Sequence, residues 1–419
     1  MIGSELPKGW KLVPLKEITS IIRGVSYPKE EAKLHPEENY VHILRGGNIQ
    51  DGKIVFETDD NVYVNSSLVG EEQFVLKDDV VIVASTGSKK VIGKAATIEE
   101  DSRCISFGAF LLLLRTNVID KRFHSYFFQT QYYRNTISSL AGGININNIK
   151  KEHIENLQIP LPPLAEQKQI AAKLDKLFAQ IETIKKSTER IPELLKNFRQ
   201  QILTYAVTGK LTNSDYELWE LKTLDGIAIP KAGYAFKATD FIDNGIQVIR
   251  MGNLYNNKLS LNRNPVFVPE NYDTDIIERS KVRRDDILLT LTGTKYKRDY
   301  GYAIKIDTDD ILLLNQRILS LTPLINPDYL LLALRSDEFR NQFFEFETGG
   351  VNQGNVGVKN VMNIRLHIPS SNVQVEVVRR TRALLKILDN VERKYNNLCE
   401  KLDKLPQTLL CKAFKGELS

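Results

Sequence analysis

The chain repeats itself, and that repeat constrains its fold more than any other feature. WKLVPLKEI (Trp10–Ile18) matches WELKTLDGI (Trp219–Ile227), and RGGNI (Arg45–Ile49) matches RMGNL (Arg250–Leu254). DDVVIVASTGS (Asp78–Ser88) answers RDDILLTLTGT (Arg284–Thr294) with one residue of slippage. AGGININNI (Ala141–Ile149) answers TGGVNQGNV (Thr348–Val356), and ILTYAVTGKLT (Ile202–Thr212) answers LLCKAFKGELS (Leu409–Ser419). The five pairs keep one order, with offsets between 205 and 209. A sustained period of this kind is a duplication, so whatever one half folds into, the other must fold into as well.

Each half has two parts of opposite character. The first is rich in short β-branched and aromatic runs, punctuated by turn signals such as Gly46-Gly47-Asn48, Asp51-Gly52 and Asn244-Gly245. Short helical patterns near Arg122–Arg134 and Pro327–Phe344 make it an α+β unit. The second part is a long helix. Ile170, Leu174, Leu177, Ile181, Ile184, Thr188, Ile191, Leu195, Phe198 and Ile202 fall at spacings of four and three throughout. So do Val377, Thr381, Leu384, Leu388, Val391, Tyr395, Leu398, Leu402, Leu405 and Leu409. Such a seam predicts two coiled-coil helices of about 40 residues, roughly 60 Å each. The alternative is two amphipathic helices that cover separate cores. Pro162-Pro163 marks the start of the first helix, and Gly209 and Gly416 mark the two ends. Pro192 and Pro406 lie inside the seams and are expected to kink or open each helix. The expected division is 1–160, a first strand-rich domain; 161–212, a central long helix; 213–370, a second strand-rich domain; and 371–419, a C-terminal long helix.

Composition excludes several classes. Lys and Arg exceed Asp and Glu by only five, which permits nucleic-acid binding without arguing for it. Cys104, Cys399 and Cys411 form neither a disulfide framework nor a metal-ligand spacing. The opening MIGSELPKGWKLV has no signal-peptide core, and the longest apolar stretch, Ile105 to Leu114, is about half a membrane span. A cytoplasmic protein without membrane contact is expected. His35, His42, His124, His153 and His367 have no ligand spacing, so no metal is expected. GSKKVIGKA (Gly87–Ala95) lacks both the spacing and the hydroxyl of a phosphate loop, and reads as a solvated loop between strands. There is no Asn/Asp-Pro-Pro-aromatic tetrapeptide, GxGxxG or G-x-S-x-G elbow. Asp78-Asp79 and Asp285-Asp286 precede apolar runs and read as turns. No catalytic residue is expected.

IPLPPLAEQKQIAAKLDKLFAQIE (Ile159–Glu182), continuing to FRQQILTYAVTGKLT (Phe198–Thr212), resembles the central region of type I restriction-modification specificity subunits. The plan of variable domain, long helix, variable domain, long helix resembles that family over essentially the whole chain. In the second copy IPSSNVQVEVV (Ile368–Val378) reads as having lost the double proline and the Glu-Gln pair. The resemblance implies two target-recognition domains, each reading half of a bipartite duplex DNA site. It implies an antiparallel helix pair with pseudo-two-fold symmetry that acts as a ruler. It also implies two modification (methyltransferase) subunits that methylate adenine N6, and translocase-nuclease restriction subunits. S-adenosylmethionine, ATP and magnesium would sit on those partners, with no cofactor in this chain.

Under that reading, the loops present in both halves are the candidates for DNA contact. In the first half these are Ser85, Thr86, Ser88, Lys89, Lys90 and Lys94, with Asn145, Asn147 and Asn148. In the second they are Thr292, Thr294, Lys295, Lys297 and Arg298, with Asn352, Gln353 and Asn355. Lys and Arg attract phosphates, while Asn and Gln can pair bidentately with adenine. Arg23 with Tyr27 and Lys29, Arg45 with Asn48, Arg250 with Asn253, and Asn315-Gln316-Arg317 form a second rank. Lys89–Lys94 and Lys295–Tyr300 differ between the halves and are the better base readers, because modules that read different sequences should share frame and differ at contacts. Two rival readings are an architectural coiled-coil protein with protein-binding heads and a fused enzyme. A salt-dependent gel shift discriminates the first, and the missing motifs disfavour the second.

Overall fold

The computed structural model describes residues 6–50, 52–56, 58, 61–140, 147–350 and 353–418. The chain divides into two compact units, one of Met1–Glu189 with Asn397–Ser419, the other of Arg190–Asn396. Each unit thus combines a strand-rich domain, the start of the long helix that follows it, and the end of the other.

In the first unit, antiparallel strand Lys11–Pro14 pairs with Gln158–Leu161, so that the domain closes where the helix begins. A four-stranded antiparallel sheet runs Ser20–Arg23, Leu111–Arg115, Val80–Val83, Ala95–Thr97. A three-stranded sheet places Ile105–Phe107 parallel to Tyr40–Leu44 and Val62–Asn65 antiparallel to it. Helices Lys121–Phe127 and Gln131–Leu140 pack on the larger sheet. The second unit repeats this plan. Glu220–Thr223 pairs with Arg365–Ile368, and Ala228–Ala232, Ile318–Pro323, Ile287–Thr290 and Ala303–Lys305 form the four-stranded sheet. The smaller sheet gains a strand, Lys281–Val282.

The acidic pairs are turns. Asp78 and Asp285 both take the left-handed conformation, at φ 66° and 68°. Asp79, buried, accepts from the Leu76 amide and is bound by Arg115; Asp286, buried, accepts from the Arg283 amide and the Thr322 hydroxyl. They also correct the alignment of the halves. Val80–Val83 corresponds to Ile287–Thr290, so Thr86 is the equivalent of Gly293, and the matching of Gly87 to Gly293 does not hold.

The first long helix runs Leu164–Thr188 with Pro163 as its N-cap and resumes as Ile191–Val207, with Pro192 in the new first turn. The expected kink is therefore a break at Glu189–Arg190, just ahead of the proline, where its missing N–H costs nothing. The second helix, Ser371–Ala413, carries Pro406 without interruption, so the expected opening there does not occur. Gly209 and Gly416 stop the helices at φ 74° and 73°.

Within the first unit the helices run antiparallel. Ile170, Ala171 and Leu174 share one core with Leu410, Ala413, Phe414 and Leu418. Farther along, Lys185 bonds Asp403 at 2.7 Å. Within the second unit, Ala206 and Val207 share a core with Val377 and Val378, and Arg199 bonds Asp389 and Glu392. The seam is not buried evenly, as a strict heptad would require. Leu174, Ile181 and Leu402 are buried and Leu177 and Leu388 half-buried, but Ile184, Leu384, Val391 and Leu398 are exposed by 36–42%. Burial varies from one seam position to the next, since Leu195 is 6% exposed while Phe198 and Leu405 are 51% and 38% exposed, so the two helices do not enclose each other's apolar faces along their whole length. Accordingly Leu174→Ala should cost about 2–5 kcal/mol, whereas Val391→Ala should cost less than about 1 kcal/mol. Denaturant midpoints of the two variants check this.

Candidate nucleic-acid interface

Two loops far apart in sequence meet in each unit. Beyond buried strand Val80–Val83, Ser85–Thr86 pairs antiparallel with Asn147–Asn148, with Ser85 opposite Asn148 and Thr86 opposite Asn147. In the second unit Thr292–Gly293 pairs with Gly354–Asn355 in the same way. An apolar residue sets each ribbon at its base. Buried Ile149 donates its amide to Ala84 O at 2.8 Å, and buried Val356 donates to Leu291 O at 3.0 Å. The hydroxyl and asparagine candidates are therefore neighbours on one short ribbon. Asn145 and Asn352, with Gly142 and Gly143, lie outside the described residues. Gln353 is exposed beside the second ribbon, and its amide bonds Gly350 O.

The basic loops leave these ribbons. Ser88, Lys89 and Lys90 are exposed, while Lys94 is half-buried at the next strand. In the second unit the loop is one residue longer and takes up the extra residue by left-handed turns at Tyr296 and Arg298, φ 67° and 51°. Tyr296 is 78% exposed, and the Lys295 ammonium lies 5.1 Å from its ring. Lys295 also donates to Gly349 O at 2.9 Å, joining the two loops. Thr294 is held through its amide by Asp299 at 2.7 Å. Arg298 lies over the Phe344 ring at 5.2 Å and reaches Asn341 at 3.5 Å, and Lys297 is exposed. A bulky residue at positive φ is a strained choice that the surroundings must enforce.

An arginine holds the loop in both units. Arg134, on helix Gln131–Leu140, donates to Ile92 O and Lys90 O at 2.6 and 3.2 Å. Arg340, on helix Asp337–Glu345, donates to the carbonyls of Arg298, Gly301 and Tyr300 at 3.0, 3.1 and 3.3 Å. Burial lowers the pKa of both guanidiniums from the ordinary value.

A third strip of chain borders each ribbon. Phe110 O accepts from the Ala84 and Ser85 amides at 2.9 and 3.0 Å, and Arg317 O accepts from Leu291 N at 3.3 Å. Arg23 and Arg45, both exposed, flank the first of these turns. Arg23 pairs with Leu112 across the sheet, and Leu44, preceding Arg45, accepts from the Gly108 amide at 2.9 Å. Tyr27 is half-buried against the small core of Val25, Val41 and Phe74, and Lys29 is exposed in the following turn. Asn48 and Asn253 are not available for contact. Each is buried and bonds the backbone of its own loop, Asn48 to Arg45 N and Val55 O, Asn253 to Arg250 N, Ser260 O and Arg263 O.

The sequence reading missed Phe110, Arg134 and Arg340 in this neighbourhood, while Tyr296 lies within the Lys295–Tyr300 stretch that it named. For the arginines a signal existed, since Arg134-Asn135 recurs as Arg340-Asn341 at the repeat offset. For Phe110 only the folded chain reveals the exposure. Among the described residues no cluster of His, Cys, Asp and Glu could hold a metal ion. Arg134→Met and Arg340→Met should keep each helix's packing while releasing the loop carbonyls. Hydrogen exchange at amides 88–93 and 295–301 respectively should then quicken at least tenfold, with the other unit's loop unchanged.

The family model described as "Type I restriction modification DNA specificity domain" matches residues 7–193 and 216–400. The type I restriction enzyme EcoKI specificity subunit of Escherichia coli (strain K12) is 34% identical over all of this chain and 91% of its own length. The StySPI specificity subunit of Salmonella potsdam is 32% identical, with the same coverage. The fold is that of the HsdS subunit from Thermoanaerobacter tengcongensis, with a TM-score of 0.71, 17% identity and 99% of each chain covered. The two family matches leave out little but a short linker and the ends, and with the duplicated ribbons they establish that this chain belongs to the family of type I restriction-modification DNA specificity subunits.

Proposed function

We propose that the chain is the sequence-specific, double-stranded DNA-binding specificity subunit of a type I restriction-modification complex. It reads a bipartite site and directs adenine-N6 methylation and restriction by its partners. The observation that carries this is the ribbon of hydroxyl and asparagine residues with its basic loop, built twice on one frame with different side chains. A shared frame with divergent loops is what two readers of two different half-sites require. Residues 1–160 and 213–370 are the two target-recognition domains, and 161–212 and 371–419 are the helices that set the spacer between half-sites. The cross-strand pair Ser85 and Asn148 faces base edges in one half, and the equivalent pair Thr292 and Asn355 in the other. The basic residues of each loop, with Arg23 and Arg45, meet phosphates.

The partners are two modification subunits and restriction subunits, which carry S-adenosylmethionine, ATP and magnesium. The chain itself performs no bond-making step. The purified chain should therefore show no heat of binding with S-adenosylmethionine, and a one-to-one calorimetric isotherm would refute this.

Lys89→Ala with Lys90→Ala should weaken DNA binding by the assembled complex and reduce the log–log salt slope by roughly two, about 0.9 for each phosphate that is no longer neutralised. Selection of bound sites from a random DNA pool should leave the half-site read by the second unit unchanged. Lys295→Ala with Lys297→Ala should spare the other half. A change of preference in both halves from either pair would show that the units do not read independently.

A further inference from the structure

The turn beside each ribbon is built to the same plan in both units, and only its outward side chains differ. A Cβ on Gly24 would meet Gly108 O at 2.1 Å and Phe107 O at 2.7 Å, and one on Gly233 would meet Asn315 O and Leu314 O at the same two distances. The main chains therefore touch where any other residue would push them apart. Parallel bridges follow in each unit, Val25 to Gly108 and Tyr234 to Asn315. Leu44 O receives the Gly108 amide at 2.9 Å, and Ile249 O receives the Asn315 amide at 3.1 Å. The ribbon side of the turn is pinned through Phe110 O and Arg317 O. This register makes Gly108 equivalent to Asn315, Ala109 to Gln316 and Phe110 to Arg317. Burial agrees, because the residues on both sides, Phe107 and Leu111, Leu314 and Ile318, are at most 1% exposed, while Ala109, Phe110, Gln316 and Arg317 face solvent.

We propose that Phe110 and Arg317 are equivalent base-reading positions of the two half-sites, Phe110 taking the 5-methyl face of a thymine and Arg317 the O6 and N7 of a guanine. This rests on the DNA-reading function proposed above. Phe110 is 67% exposed and shares its backbone bonds with Ser85, so its ring is uncovered where duplex would meet the ribbon. A phenylalanine has no donor or acceptor, and the thymine methyl is the one major-groove group it can recognise by contact. A guanidinium presents two parallel donors that match guanine and no other base edge. A backbone held from three sides keeps both Cα positions in one place, so the exchange of one side chain exchanges the base preference rather than the docking geometry. The two half-sites consequently differ at one corresponding position, A·T under the first unit and G·C under the second.

The test uses the full chain assembled with its modification subunits, with bound sites selected from a random duplex pool. Phe110→Arg should replace A·T by G·C at one position of one half-site, a change of about ten- to a hundredfold in relative affinity, with the other half untouched. Arg317→Phe should produce the reciprocal change in the other half. Phe110→Ala should relax the preference at the same position. Being exposed, these side chains can be exchanged with the fold intact, which unchanged melting verifies. Selected half-sites identical to wild type in both exchange variants would overturn the assignment and leave the specificity function standing. A wild-type complex that retained DNA with no sequence preference would overturn that function, and the assignment with it.

Discussion

A buried glutamine holds each long helix to its strand-rich domain. Gln167, in the first turn of its helix, donates to Pro162 O at 2.8 Å and accepts the Asp120 amide at 2.9 Å. Gln374 does the same in the second unit, donating to Pro369 O at 2.8 Å and accepting from Asn326 N at 3.1 Å. Asp120 and Asn326 are themselves N-caps, of helices Lys121–Phe127 and Pro327–Leu334. One side-chain amide thus fixes the end of the closing strand, the long helix and the cap of the domain's own helix. Both glutamines are 3% exposed, so loss of the amide would leave buried polar groups of the backbone unpaired, at about 1–3 kcal/mol each. The direction in which each long helix leaves its domain depends on this junction, and with it the place of the ribbons relative to the helix within each unit.

The same junction shows what the sequence made legible and what it hid. Five matched segments disclosed the duplication, the 4,3 spacing disclosed the helices, and the glycines disclosed their ends. Reading IPSSNVQVEVV as having lost the Glu-Gln pair was only half right. Pro163 and Glu166 are replaced by Ser370 and Val373, but Gln374 keeps both of its bonds. A motif counts letters, whereas the junction needs one amide at one depth, and its companions are free to vary. The seam misled in the opposite direction. Its periodicity is perfect, yet burial changes from one seam position to the next, with Leu402 buried and Leu405 exposed, a difference that no local pattern contains. The candidate loops were found because turn chemistry and basic residues are local signals. Phe110 and the loop-holding arginines escaped because their roles arise from chain brought near by the sheet.

The two units also show how a duplicated frame tolerates change in its interior. In the first, fully buried His124 bonds the Thr19 hydroxyl at 2.8 Å, and burial depresses its pKa to about 3, so the ring is neutral. The corresponding residues of the second unit are Leu330 and Ala228, both buried. A polar pair in one unit fills the place of an apolar pair in the other, although the His124 Nδ1 is buried without a hydrogen-bond partner; half of either pair would leave a void or a further unpaired group. The two members are far apart in sequence, so a change at one of them alone would mismatch its partner.

The loops face no such coupling, and their freedom has a limit of its own. Lengthening the second basic loop by one residue places Tyr296 and Arg298 in left-handed backbone, each costing on the order of 1 kcal/mol. That conformation persists because Arg340 binds three of its carbonyls where Arg134 binds two, and because Asp299 and Lys295 tie it to the ribbon. A loop can therefore change length only as far as the arginine beneath it can follow. The helix arginine, invisible as a binding residue because it points inward, sets the range of loops that this frame can display. Diversity at the ribbon is thus bounded from below by a side chain that itself remains the same in both copies.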